Sequence, residues 1–199
     1  MNSPLIHRGD IADSAQVPAS TTVWDHAQVR ERAVIGPDCI IDRGAYIGIA
    51  VIVGKSCKTQ NNALIYEPAQ LGDGVFIGPA AVLTNDLRPR AVNLDLTRKT
   101  LGDWRPVGVT VHDGASIGAG AVCVAPITIG AWAMIGAGSV VLQDVPSHAL
   151  VVGTPARQIG WVGRTGTRLK PDSVKGFLVC PDTGIRYEML DTAITEIIS

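Results

Sequence analysis

The sequence predicts an all-β parallel solenoid built from a hexapeptide repeat, interrupted by one long loop and followed by a small C-terminal cap. Three observations predict it. Aliphatic residues recur every sixth position, as Ile11, Val17, Val23, Val29, Ile35, Ile41, Ile47, Val53, Ile65, Leu71, Ile77 and Leu83, with Thr59 the exception. A second row four residues later is small or β-branched throughout: Ala15, Thr21, Ala27, Ala33, Cys39, Ala45, Val51, Cys57, Ala63, Ala69, Val75 and Ala81. Glycine often follows the aliphatic position, as at Gly36, Gly48 and Gly54, where a tight turn is needed. A period of six matches neither a helix nor a long plain strand, so it reads as short strands joined by turns.

Three hexapeptides make one triangular coil of eighteen residues, and successive coils stack about 4.8 Å apart, as neighbouring strands do. No repeat can bury its own aliphatic residue, so stability comes from stacking. Ile11, Val29, Ile47, Ile65 and Leu83 are expected to form one interior column. A β-sandwich is the competing arrangement, but sandwich strands do not keep a strict register.

Taken in order, residues 1–153 form the solenoid, and its repeat runs from Ile11 to Leu83. Across residues 85–109 the spacing fails, and Pro89, Pro106, Arg88, Arg90, Arg98, Lys99 and Arg105 replace it. It resumes in a new phase at Val111, Ile117, Cys123, Ile129, Ile135 and Val141. From Leu83 to Val111 is 28 residues, one hexapeptide step plus 22 inserted. A loop of that length in a regular solenoid points to function. Residues 154–199 differ in composition and are expected to cap the open end, with Thr192 to Ile198 as a helix or strand.

Composition narrows the class. The 199 residues carry a net charge of −1, against a nucleic-acid surface. The start has no apolar leader core and the chain no run of eighteen apolar residues, so a soluble, cytoplasmic protein is expected. The four cysteines lack a framework spacing, and the stacked Cys39 and Cys57 are expected as buried thiols rather than a disulfide.

The coil arithmetic also locates chemistry. Glu67 and Asn85 are eighteen apart, as are Tyr66 and Thr84, so each pair should be vertical neighbours at the corner from which the loop springs. A carboxylate, an amide and a phenol beside a long loop suit a polyhydroxylated ring and its amine. The bland alternative is a solvated corner with an asparagine ladder.

The run Thr59-Gln60-Asn61-Asn62-Ala63-Leu64-Ile65-Tyr66-Glu67, with Gly78-Pro79, Thr84-Asn85-Asp86 and Pro89-Arg90, resembles the hexapeptide-repeat acyltransferases, in particular the N-acetyltransferases of nucleotide-linked 3-amino sugars and 3-amino-uronates. The similarity runs from about Ile11 to Arg157, and Gln158-Ile159-Gly160-Trp161 and Cys180-Pro181-Asp182-Thr183-Gly184-Ile185-Arg186-Tyr187 extend it into the tail. Thr59 stands where members commonly have an aliphatic residue, and Trp24 is followed by Asp25, His26, Ala27 and Gln28 rather than flanked by the histidines of some uronate-type members. The resemblance implies a left-handed coil, a homotrimer with its sites between chains, and acetyl-CoA or another acyl-CoA as donor. Asn62, Tyr66, Glu67, Arg88 and Arg90 are then the expected acceptor-binding residues. Ala119, Gly120, Pro126, Ala137, Gly138, Pro155 and Ala156 would leave room for the pantetheine arm, and Arg157 would meet a phosphate.

Acyl transfer from a thioester to an amine needs a neutral nucleophile, a fixed approach and donors for the oxyanion. Asn85, Asp86 and His112 are the catalytic candidates. Asp86 or His112 would take the ammonium proton, or no protein side chain would. Hexapeptide solenoids also resemble γ-class carbonic anhydrases, but His7, His26, His112 and His148 are too scattered to supply three ligands, and no metal is expected. N-acylation of a nucleotide-linked amino sugar is the expected activity. O-acetylation of a sugar or small alcohol and a non-catalytic scaffold are the alternatives.

Overall fold

The computed structural model describes residues 5–6 and 9–197. Two-residue strands alternate with turns and stack into three parallel sheets. The first face runs through Thr22–Val23, Ile40–Ile41, Lys58–Thr59, Phe76–Ile77, Ser116–Ile117 and Met134–Ile135. Gln28–Val29, Tyr46–Ile47, Leu64–Ile65, Val82–Leu83, Val122–Cys123 and Val140–Val141 belong to the second. The third holds Val34–Ile35, Ile52–Val53, Gln70–Leu71, Val109–Val111 and Ile127–Ile129. This is the left-handed parallel β-helix that the resemblance implies.

The expected interior column is present. Ile11 pairs with Val29, Val29 with Ile47, Ile47 with Ile65 and Ile65 with Leu83. Leu83 then pairs with Cys123 across the insertion, a separation of 40 residues, which is 18 plus the 22 inserted. The loop therefore leaves the register intact. Glycine allows the coils to approach closely. A Cβ on Gly54 would lie 2.5 Å from the Gly72 carbonyl carbon, so no other residue fits without moving a backbone.

Three corners join the faces, each with its own stack of backbone hydrogen bonds. The first, between the first and second faces, runs through Asn62 (N–H to Arg43 O), Ala80 (to Asn61 O), Gly120 (to Pro79 O) and Gly138 (to Ala119 O). The third, between the third and first faces, runs through Gly74, Gly114, Trp132 and His148. Many of these turn residues are left-handed although they are not glycine, with φ of 58° at Asn62 and 59° at Trp132. The second corner begins alike, at Arg32 and Ala50, and then carries the loop.

Cys39 and Cys57 are buried and unpaired by disulfide. The Cys39 thiol donates to Gly54 O at 3.1 Å, and its sulfur accepts from Cys57 N–H at 3.4 Å. Burial pushes the Cys123 thiol up to about 12. Thr21 is buried too, but its hydroxyl donates to Gly36 O. Thr59 is fully buried and its Oγ1 has no partner among the described residues.

Face one ends in an antiparallel hairpin of Ala149–Gly153 and Ala156–Trp161. Beyond it Lys170–Pro171, Phe177–Val179, Arg186–Leu190 and Ala193–Glu196 form an antiparallel sheet around Leu169, Leu178, Cys180, Tyr187 and Ile194. The tail is thus a strand, and Ile198 lies outside the described residues. Trp161 touches both cores. His148 is buried at the same junction, with Nδ1 3.0 Å from Val162 O and its ring edge-on to Tyr187. No helix among the described residues is long and apolar enough to cross a membrane.

Two outcomes follow from these contacts. An unpaired buried hydroxyl costs about 1–3 kcal/mol, so Thr59→Val, which keeps the shape, should raise the denaturation midpoint; a fall would mean that the hydroxyl has a partner. Burial lowers the His148 pKa, against the Val162 hydrogen bond and Glu196 and aided by Arg164. The unfolded chain therefore binds the proton first, so the stability contributed by neutral His148 is present above about pH 6.5 and lost as pH falls through the lowered folded value. Unfolding followed from about pH 7.5 to 5 should show that slope, and His148→Gln should flatten it.

Candidate active site

The loop grows from the second corner, where the repeat stops after Leu83. Its two ends meet: Val107 N–H donates to Asn85 O at 3.1 Å. Gly108 returns against Pro68, where a Cβ would lie 2.8 Å from the carbonyl oxygen. The Thr84 hydroxyl accepts from Ala125 N–H at 3.0 Å, binding the loop root to the next coil.

Within the loop the acidic side chains are tied to nearby backbone. Asp86 accepts from Arg88 N–H at 2.9 Å. The Asp103 carboxylate accepts from the Thr100 N–H and hydroxyl, each at 2.8 Å, and caps the short turn Leu101–Asp103. Those bonds, the backbone one first, hold its pKa below the usual range. Asp95 is held down in the same way by Thr97.

The cations are left facing a cavity of about 1170 Å³. Arg88, Arg90, Arg98, Lys99 and Arg105 line it, against the carboxylates of Asp86 and Asp103. Among the described residues, no ion pair within 4.0 Å joins these cations to a carboxylate. Five positive groups against two negative ones favour a polyvalent anion. Trp104, Leu87 and Leu101 give the same cavity an apolar wall.

The expected residues divide among the corners. Tyr66 and Glu67 lie at the loop root, and Tyr66 N–H donates to Leu83 O at 3.3 Å, which sets them one coil from Thr84 and Asn85. Arg88 and Arg90 line the cavity with Asp86. Asn62 does not join them, because it occupies an exposed left-handed turn at the first corner. His112 does not bracket the cavity either. It is exposed at the third corner, with N–H bonded to Ile129 O, and five residues of extended chain from Val107 place it about 16 Å along the coil.

The donor candidates also split. Ala119, Gly120, Ala137 and Gly138 share the first corner, and the Thr154 hydroxyl beside Pro155 donates to Gly138 O at 3.4 Å. Pro126 lies at the second corner instead. Ala156 and Arg157 line a crevice of about 200 Å³ at the last coil with Leu142, Asp144 and Pro146. Arg98, Lys99 and Arg105 line the cavity beyond the residues expected for the site, and the density of cations in the insertion is the signal for them. Among the described residues no three His, Cys, Asp or Glu side chains cluster as metal ligands; His7 lies outside the described residues.

No family model matches the chain. Over 92 residues it is 46% identical to serine acetyltransferase 4 of Arabidopsis thaliana, covering 46% of this chain and 25% of that protein. Over 88 residues it is 44% identical to dTDP-3-amino-3,6-dideoxy-alpha-D-galactopyranose 3-N-acetyltransferase of Aneurinibacillus thermoaerophilus, covering 44% of each. The chain thus spans less than half the length of either curated relative. Among solved structures, a hexapeptide transferase family protein from Anaplasma phagocytophilum aligns with a TM-score of 0.53 at 17% identity, over 79% of this chain and 81% of that one, a likeness of fold.

The cavity itself is testable. A charge-assisted hydrogen bond contributes about 1.5–3 kcal/mol, so Arg98→Ala with Arg105→Ala should weaken pyrophosphate binding at least about tenfold in calorimetry. An unchanged affinity would show that these guanidinium groups do not face the anion.

Proposed function

We propose that this chain, which carries the repeat of the hexapeptide-repeat acyltransferase family, is an acyl-CoA-dependent N-acyltransferase acting on a nucleotide-linked amino sugar, with acetyl-CoA as the expected donor. The observation that carries the acceptor class is the cationic cavity at the loop root. A nucleotide diphosphate supplies the anion that such a cavity favours. Free serine, the acceptor named for one set of relatives, has no phosphate. The amino-sugar relative adds support, since its name pairs an amine with a nucleotide.

In the proposed reaction the amine attacks the thioester carbonyl. An N–C bond forms, the C–S bond breaks, the ammonium proton leaves to a base or water, and coenzyme A departs as the thiol. Asn85 holds the sugar or its amine, because an amide both donates and accepts and does not titrate near neutrality. Asp86 is the carboxylate beside it. Positioning of this kind can supply on the order of 7 kcal/mol or more in ideal systems. The side-chain-free backbone around Gly120 and Gly138 is the proposed donor strip.

His112 can act at this site only from a neighbouring chain. We therefore retain the homotrimer as part of the proposal. The loop gives it support: Leu94, Leu96 and Leu101 are 107%, 79% and 86% exposed, an apolar surface that a second copy would cover. The cytoplasm is the proposed location. A second reading, O-acetylation of a small alcohol, draws on the serine acetyltransferase matches and depends on an imidazole base.

Release of coenzyme A, followed with a panel of nucleotide amino sugars and with serine, separates the two. Turnover of an amino sugar should fall about ten- to hundredfold in Asn85→Ala with an unchanged pH–rate shape, whereas Asp86→Asn or His112→Gln should remove or move an ionisation if that group is the base. Serine turnover alone, indifferent to Asn85, would overturn the proposal.

A further inference from the structure

We infer that Tyr46 and Tyr66, with Arg30 and Glu67 beside them, form a ledge that binds the nucleobase of the acceptor. This rests on the nucleotide-linked reading and extends it from the loop onto the outer surface of the second face. Two of the chain's three tyrosines meet here, and the third, Tyr187, is buried in the cap. Their ring centroids are 5.3 Å apart at 48°, and both rings are half-buried rather than part of the core. Elsewhere on this face the outward positions hold Gln28, Leu64, Val82, Val122 and Val140. The solenoid therefore does not require an aromatic residue there.

One polar atom beside the pair lacks an internal partner among the described residues. Glu67 Oε2 is buried and has no hydrogen-bond partner among the described residues. It lies over Gly48, where a Cβ would collide with that oxygen, so the carboxylate has a seat without a donor. Arg30 is held to Glu31 through Nε at 3.0 Å and Nη2 at 3.2 Å, and its charge also acts on Tyr46. Burial first, and then the Glu67 charge, raise the Tyr46 pKa.

The ledge is placed for a nucleotide. Tyr66 is one coil below Thr84, and Tyr46 is two coils, about 10 Å, below the loop root. A base stacked there would direct its ribose and diphosphate toward the cationic cavity that starts at Asp86. Stacking accepts any base through its π-face, and Glu67 offers an acceptor to a base N–H.

Calorimetry on the full chain with UDP, TDP, GDP and inorganic pyrophosphate tests this. Tyr46→Leu and Tyr66→Leu keep apolar bulk but lose the stacking face, and should weaken at least one nucleoside diphosphate about tenfold or more while leaving pyrophosphate unchanged. Tyr→Phe at either position should largely restore the affinity. If nucleoside diphosphates bind, lose affinity in the Arg98 and Arg105 variants, and ignore the Leu variants, the ledge is wrong and the nucleotide reading stands. If the wild type binds no nucleoside diphosphate, the nucleotide reading fails and the ledge with it.

Discussion

The hydrogen bond from each coil to the next is the constraint on which the molecule depends. It fixes an eighteen-residue register, places Ile11, Val29, Ile47, Ile65 and Leu83 above one another, and brings the Gly54 and Gly72 backbones too close for a side chain. A coil cannot absorb extra residues without turning its aliphatic side chains out of the core. Additional chain must therefore leave at a corner and return to the same point. The insertion does this: its root closes with the Val107 to Asn85 bond, and the pairing of Leu83 with Cys123 continues as though it were absent.

Freed from the register, the loop obeys a different rule. Its carboxylates at Asp86, Asp95 and Asp103 accept hydrogen bonds from nearby N–H groups, which is how a segment with little repeating structure holds a shape. The same bonds occupy the acids, and among the described residues no carboxylate pairs with these arginines within 4.0 Å. The local positive field is thus a by-product of how the loop is folded. The net charge of −1 hides it, while the five Arg and Lys of the insertion signal it.

This difference decides what could be read from the sequence. The interior column, the length of the insertion and the neighbouring of Tyr66 and Glu67 with Thr84 and Asn85 were all legible, because each is arithmetic in eighteen. The same arithmetic sets Asn62 and His112 apart from the loop root. Asn62 is five residues from Glu67, with the strand Leu64–Ile65 between them, and His112 follows the strand Val109–Val111. Each therefore belongs to another corner, whatever motif it shares a line with. The convergence of Arg98, Lys99 and Arg105 on one cavity is not legible for the opposite reason, since no period governs where a loop residue points.

The separation of Asp86 from His112 constrains any mechanism that uses both. Asp86 lies in the loop that precedes the strand Val109–Val111, and His112 follows that strand, about 16 Å along the coil from Val107 at the loop's end. The first-corner strip of Gly120 and Gly138 lies at yet another edge of the triangle. A single chain therefore presents its cationic cavity, its exposed imidazole and its bare backbone strip in three directions. Within one solenoid they do not converge, which is why the proposed reaction draws on a second copy, whose contact the exposed loop leucines would hold.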